Sequence, residues 1–359
     1  MLKYVLKRLL YGIGVLLGVV VLVFFLFNVL PGDPARMMLG QRADAESIAV
    51  INRDLGRDRP LGVQFLSYLN DLLPISLHSH SSSSAFYLDE SKYAPYATLV
   101  GTSRTSLIAK KPYLRRSYQS KRKVSEILAT SFPQTALLAV AAMVLAVIVG
   151  VSLGIVAALR PGSWLDRGIL FFATCGMALP SFFSAILVAW LFAYVLGDIT
   201  HLNMVGSLYE VDDYGCGEHL NLRNLILPAL TLGIRPLSVM VQLTKSSLTD
   251  ALSQDYVRTA RAKGMPFRRV VLRHALRNAL NPIVTSASGW LAGLLAGAVF
   301  VEYVFDWKGM GTIIVEGLDT YDFPVVMGAI LFICVLLVLI NIAVDIIYGW
   351  LDPRVRVGK

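Results

Sequence analysis

Apolar residues along this chain gather into long runs separated by polar stretches. A hydrocarbon core about 30 Å thick takes about 20 mostly apolar residues of α-helix per crossing. Six runs reach that length, near 9–30, 134–159, 169–196, 225–244, 283–303 and 325–350. Within them Leu, Val, Ala, Ile and Gly follow one another without the alternation of barrel strands, as suits helices that satisfy their own backbone groups in lipid. The pattern predicts an all-α integral membrane protein with six transmembrane helices.

Composition agrees. Of 359 residues 55% are apolar and 16% charged, against roughly a quarter charged in a soluble domain. The net charge of +9 is dispersed among lipid-length helices, so no nucleic-acid partner is expected. Cys175 and Cys334 sit in apolar spans and Cys216 in a loop, without a Cys-x-x-Cys pattern, so neither a disulfide framework nor a metal site is expected.

Charge also orients the chain. Lys3, Lys7 and Arg8 precede a first apolar run that is too long for a signal-peptide core and lacks a small-residue cleavage site. An uncleaved first helix over 1–30 with a cytoplasmic N-terminus follows. Six crossings return Arg354, Arg356 and Lys359 to the same side. The loop with Arg160 and Arg167 and the segment from Lys245 to Arg277 are strongly basic, whereas 197–224 and 304–324 carry one basic residue each, Arg223 and Lys308. Residues 31–133 fall outside despite fourteen basic side chains, because orientation is carried by short loops of up to about 60 residues. Residues 134–359 form a core with the remaining five helices.

In the outer region, Ile48, Val50, Ile51 and Leu55 recur near helical spacing, which predicts helical pieces over 44–72. The Ser-rich tract from His78 to Ser84 and the small polar stretch from Gly101 to Ser106 predict loops and a short hairpin over 78–106. His78 and His80 are expected to be solvated and not metal ligands.

Residues 245–281 are too charged to cross lipid and too periodic for a plain loop. A helix over Asp255, Tyr256, Val257, Arg258, Thr259, Ala260, Arg261 and Ala262 should stop at Gly264, with Pro266 just beyond. A second helix should run from Phe267 to Leu280, with Val270, Val271, Leu272, Ala275, Leu276 and Ala279 on an apolar stripe and Arg268, Arg269, Arg273 and Arg277 elsewhere. Charge alone leaves two readings equal: a helix docking into a soluble partner, and an amphipathic helix held by anionic headgroups.

The order of residues separates them. Arg258, Thr259, Ala260, then Gly264, then His274 and Leu276 resemble the "EAA" loop of ATP-binding cassette importer permeases. DYVRTARAKG with RHALRNALNP is similar to the membrane subunits of the dipeptide, oligopeptide and nickel importer family, which show Arg-Thr-Ala at this place. The opening KRLLYGIGVLLGVVVLVFFLFNVLPGDPA, the stretch YLRRSYQSKRKVSEILATSFPQT, GMALPSFFSAILV, ILPALTLG, VFVEYVFDWKGMGTIIVEGLDTYDFPVVMG and the closing DPRVR resemble it too. Residues 72–112 look like an insertion.

The resemblance implies a type I importer permease in a bacterial inner membrane. It would form half of a pathway for di- or oligopeptides, with nickel chelates or glutathione as alternatives. Its partners would be a second homologous permease, two ATPase subunits that hydrolyse ATP with Mg, an extracytoplasmic substrate-binding protein and membrane lipid. The segment 255–275 would be the coupling helix, with Gly264 making the turn, Ala260 and Ala262 permitting close approach, and Arg258, Arg261 and Lys263 facing acidic or backbone acceptors. Asp255, Tyr256, Thr259, Arg268 and His274 complete that candidate surface.

Other residues divide between functional and structural readings. Arg235, inside the fourth run beside Pro236, is either pathway-lining or an interhelical partner, with Pro228 and Pro236 expected to break the helix. Glu302, Asp306, Glu316, Asp319 and Asp322 cluster near the last outer loop, where solvated charges are the ordinary case and Glu302 is the pathway candidate. Gly289, Gly293 and Gly297 repeat every fourth residue, which predicts a helix-packing face, with a pathway role second. Asn28, Asn341 and Asp345 are expected to be helix–helix hydrogen-bond partners. No Gly-x4-Gly-Lys-Ser/Thr loop or His-Glu-x-x-His is present, so the chain is expected to bind no ATP or other cofactor and not to be an enzyme. A membrane-embedded enzyme is the rival class.

Overall fold

The computed structural model describes residues 2–29, 44–54, 56–82, 84–211, 217–295 and 298–351. Outside them lie the segment 31–34, Leu55, Cys216, Gly297, Arg354, Arg356 and Lys359, as do the side chains of Lys3, Asn28, Val50, Ile51 and Asp345. The chain divides into two compact units, Met1–Thr130 with Ile313–Val335, and Ser131–Thr312 with Leu336–Lys359.

In the first unit, helix Leu2–Val29 buries Val23, Phe24 and Phe27 against Tyr68 and against Phe323, Val326, Met327 and Leu331 of the last helix. Helices Ala45–Asp54 and Leu61–Leu72 follow, and then a departure from the expected loops. Strands β1 (Ile75–Ser79), β2 (Tyr96–Gly101) and β3 (Thr105–Lys110) form an antiparallel sheet in the order β1-β3-β2. The hairpin expected near 101–106 is the β2–β3 turn, closed by Thr102 N–H donating to the Thr105 carbonyl at 2.8 Å. The third strand arises because Ile75, Leu77 and their neighbours pair with β3 from across the segment, which local composition does not reveal.

That sheet also corrects the reading of His78 as solvated. Ser76, His78, Ser106 and Lys110 point inward, while Ile75, Leu77, Leu99 and Val100 are exposed. His78 hydrogen-bonds Ser76 Oγ at 3.0 Å and lies 4.5 Å from the Tyr93 ring. Lys110 Nζ donates to the carbonyls of Asn70 and Asp71 at 3.0 and 2.6 Å, which satisfies the buried ammonium. Asp322 is likewise buried, accepting from Ser117 Oγ and, at 2.9 Å, from Tyr118 N–H.

The second unit is mostly helical, with a short antiparallel strand pair, Tyr209–Val211 and Glu218–Leu220. Helix Val124–Leu159 and helix Arg223–Ser253 approach closely because Gly150 and Gly154 lie against Met240 and Thr244, and Gly233 against the Ala142 carbonyl. Small residues of this kind let membrane helices meet backbone to backbone. Pro228 and Pro236 do not break the second of these helices; both are buried, and tertiary packing carries the helix through the missing N–H groups.

The run over 169–196 is not one straight span. Helices Trp164–Ala178 and Ser181–Val195 meet at 114°, because Pro180 forces Leu179 into an extended conformation (φ −73, ψ 134) and ends the first helix. The run over 283–303 is also divided, into Leu276–Leu295 and Val299–Val304. Among the described residues four helices are long and apolar enough to cross a membrane, Lys7–Phe27, Val124–Leu159, Arg223–Ser253 and Phe323–Val344, or five with the bent pair as one span.

Candidate functional site

Helix Asp255–Ala262 begins directly after helix Arg223–Ser253, where Gln254 turns extended (φ −73, ψ 153). It ends in a Schellman turn: Gly264 N–H donates to the Arg261 carbonyl at 2.9 Å and Met265 N–H to the Ala260 carbonyl at 3.3 Å. Gly264 sits at φ +74 with open space where a Cβ would be. An L-residue there costs about 1–2 kcal/mol, which is why glycine holds the position. Pro266 then precedes Phe267–Arg269, which continues through a π turn over Val270–Ala275 into helix Leu276–Leu295.

One face of this bend is fixed in the unit's core. Val257 and Ala260 pack with Ala158, Leu248, Ala251, Val270, Val271, Ala275 and Ala279. Ala260 is therefore an inward anchor and not a contact surface, whereas Ala262 is exposed. Leu272, expected on the apolar stripe, is exposed because the π turn shifts the helical register.

The opposite face is open and basic. Asp255, Tyr256, Arg258, Thr259, Arg261, Lys263 and Arg268 are exposed, and His274 is half-buried. Arg258 and Asp255 approach to 3.5 Å with both side chains in solvent, a pair that contributes little. The Arg261 guanidinium lies 4.9 Å from the Phe267 ring centre, which preorganises it for an acceptor. A rigid, outward cationic ridge on a buried apolar base is suited to docking a carboxylate- or carbonyl-lined groove.

The pathway candidates are not gathered into one site. Arg235 is exposed and donates to the Leu179 carbonyl at 3.2 Å, across the bend at Pro180. Gly289 and Gly293 have open space beside them. Glu302 is fully buried, which corrects its reading as a solvated charge: it accepts from Thr135 Oγ1 at 2.8 Å and from Gly311 N–H at 2.6 Å. Asp306, Glu316 and Asp319 are exposed. Asn341 is exposed too, and among the described residues makes no interhelical hydrogen bond.

One contact escapes sequence reasoning altogether. Lys245 Nζ meets Asp166 Oδ1 at 2.6 Å, joining the end of the long helix to the start of helix Trp164–Ala178. Ser163 caps that helix by accepting from Asp166 N–H at 3.2 Å, and the cap was legible as Ser followed three residues on by an acid. The pairing with Lys245 was not, since nothing local links the two positions.

Comparison with known proteins follows the same segments. A family model described as binding-protein-dependent transport system inner membrane component matches residues 150–357, and one described as the N-terminal part of the membrane component of such systems matches residues 1–88. The glutathione transport system permease protein GsiC of Salmonella choleraesuis (strain SC-B67) is 38% identical over 356 residues, covering 99% of both chains. The same-named protein of Escherichia coli (strain K12) is 35% identical over 356 residues, with 99% of both chains covered. The dipeptide transport system permease protein DppB of Alkalihalophilus pseudofirmus is 32% identical over 369 residues, covering 99% of this chain and 100% of its own. Among solved structures, an inward-facing MetNI methionine ABC transporter chain matches at TM-score 0.50 and 16% identity, over 64% of this chain and 97% of that one, a likeness of fold.

Proposed function

Because this chain belongs to the family of binding-protein-dependent transport system inner membrane components, we propose that it forms half of an importer pathway for short peptides, glutathione among them. It is a multi-pass membrane protein and a permease subunit of an ATP-binding cassette importer, a family whose permeases work with ATPase and substrate-binding partners. In this reading it pairs with a second, homologous permease, keeps both termini in the cytoplasm, and crosses the membrane six times, with the divided segment 276–304 as the fifth crossing. Residues 31–133, including 72–112, lie outside, and 134–359 form the permease core. The peptide and glutathione assignments rest on the names of the relatives.

Residues 255–275 are the coupling segment in this reading. The observation that supports it is the Schellman turn at Gly264, which fixes an exposed basic ridge (Arg258, Arg261, Lys263, Arg268) on a base buried through Val257 and Ala260. Asp255, Tyr256, Thr259, Ala262 and His274 border the ridge. Force applied to such an element passes into the core it is seated in, because the two move as one body. Gly289 and Gly293 face the pathway or the second permease. Arg235 holds the bend at Leu179, and Glu302 shapes the pathway by holding backbone in place.

The test is Gly264→Pro. Proline fixes φ near −65° and removes the N–H, so neither the φ of +74 nor the bond to the Arg261 carbonyl survives. The ATPase subunits should no longer co-purify with this variant. The matching change at Gly162, also at φ +74, should leave co-purification intact. Retention of the ATPases at wild-type stoichiometry by Gly264→Pro would sink the assignment. ATP-dependent uptake of labelled glutathione and dipeptides by proteoliposomes holding all the subunits decides the cargo.

A further inference from the structure

The first unit holds an open cavity of about 400 Å³ to which the transport reading assigns no role. Six basic side chains line it, Arg57, Arg59, Lys92, Arg115, Arg116 and Lys121, against a single carboxylate, Asp71. That carboxylate is already engaged, by Arg115 at 3.3 Å and by the Tyr93 hydroxyl at 2.7 Å. Lys92 faces Asp89 at 3.5 Å. Arg116 donates to the carbonyl oxygens of Lys121 at 3.2 Å and Ser91 at 3.5 Å and lies beside the Tyr113 phenol. Among the described residues Arg59, Arg116 and Lys121 have no carboxylate partner. Positive charge collected around a concavity in excess of its counter-charge favours an anionic guest.

The rest of the wall narrows the class. Tyr87, Tyr93, Tyr113 and Tyr118 contribute to it, and burial holds the Tyr113 and Tyr118 phenols above their ordinary range, so they stay protonated at neutral pH. Guanidinium forks match the planar carboxylate in a bidentate way. Val63 and Ala85 supply the only aliphatic side chains of the wall among the described residues, which leaves nothing to seat a lipid tail. The volume lies at the lower end of the roughly 300–1,000 Å³ of small-molecule sites.

We infer that this cavity binds a small molecule carrying two or more carboxylates, about the size of an acidic tripeptide. Binding follows from the cavity itself; a role in capturing cargo rests on the importer reading. The test uses the full-length chain in phosphatidylcholine nanodiscs, titrated calorimetrically with triglutamate and, for comparison, with trialanine amide. Triglutamate should bind one site, and raising salt from about 50 to about 500 mM should weaken it. Three lost charge pairs amount to at least about tenfold in affinity in the Arg59→Gln, Arg116→Gln, Lys121→Gln variant, at an unchanged unfolding temperature. If that variant unfolds, Lys121→Gln alone, at an exposed position, should still weaken binding by about threefold.

Absence of triglutamate binding, equal binding of trialanine amide, or unaltered affinity in the folded variants would overturn the assignment. So would loss of triglutamate binding when phosphatidylglycerol replaces phosphatidylcholine, which would give the cavity to an anionic lipid headgroup. ATP-driven uptake is measured separately. Uptake without triglutamate binding rejects the cavity alone, and binding without uptake rejects the importer reading alone.

Discussion

Replacing Glu302 separates a buried fastening from a transport-pathway charge. Its carboxylate is fully buried and accepts from Thr135 Oγ1 at 2.8 Å and Gly311 N–H at 2.6 Å, while Thr135 Oγ1 in turn accepts from Met310 N–H at 2.8 Å. Gly309 and Gly311 lie so close to the carboxylate that a Cβ at either would collide with it. Trp307, also fully buried, closes the same knot by donating from Nε1 to the Gln134 carbonyl at 3.1 Å. Glu302→Ala orphans two donors at about 1–3 kcal/mol each. Losing the carboxylate relieves some desolvation, so the net should fall near 2–4 kcal/mol, or roughly 5–15 °C in unfolding temperature for a unit of this size. Glu302→Gln keeps the shape and one acceptor, and should lose about 1–2 kcal/mol. Thermal unfolding of the purified protein, followed by tryptophan fluorescence through Trp307 among others, gives the ranking. The reasoning fails if the alanine variant unfolds at the wild-type temperature, or if glutamine is the more damaging change.

Three further outcomes follow from the same geometry. Burial and then the neighbouring Lys110 charge hold His78 below its ordinary value of 6.5. The unfolded chain therefore takes up the proton first, and the sheet's stability is complete above about pH 6.5 and declines as pH falls below it. Hydrogen exchange of the strand amides, corrected for intrinsic rates, should show protection falling between pH 7 and 5.5, and a flat profile would count against the buried neutral ring. Gly154→Ala puts a Cβ within 2.5 Å of Thr244 Cβ and 2.8 Å of the Val241 carbonyl, so it should destabilise by about 1–3 kcal/mol despite alanine's better helix propensity. Gly168→Ala, with open space around it, should be neutral or stabilising by up to about 1 kcal/mol, and the two unfolding temperatures decide whether packing or propensity governs. Arg235→Gln removes a hydrogen bond to one carbonyl at the bend and should retain wild-type uptake at normal expression; an uptake loss of tenfold or more would return Arg235 to the pathway.

The residues alone were enough to read the class of the molecule and the helix stop at Gly264. Apolar runs about 20 residues long have few destinations other than a bilayer, and Gly264 with Pro266 marks a helix stop through backbone chemistry that needs no tertiary partner. Tertiary structure decided the rest. Whether Ala260 faced a partner or the core depended on the contacts of Leu248 and Val270. The sheet of the first unit depended on β1 finding β3 across some thirty residues. The burial of Glu302 depended on Thr135, far away in the chain. Proline shows the division within one residue type, since Pro180 ends a helix and Pro236 does not. The lost N–H is the same at both, and only the packing around each helix sets whether the chain continues through it. Local chemistry is written residue by residue and can be read that way, whereas burial and long-range pairing are properties of neighbours that folding alone brings together.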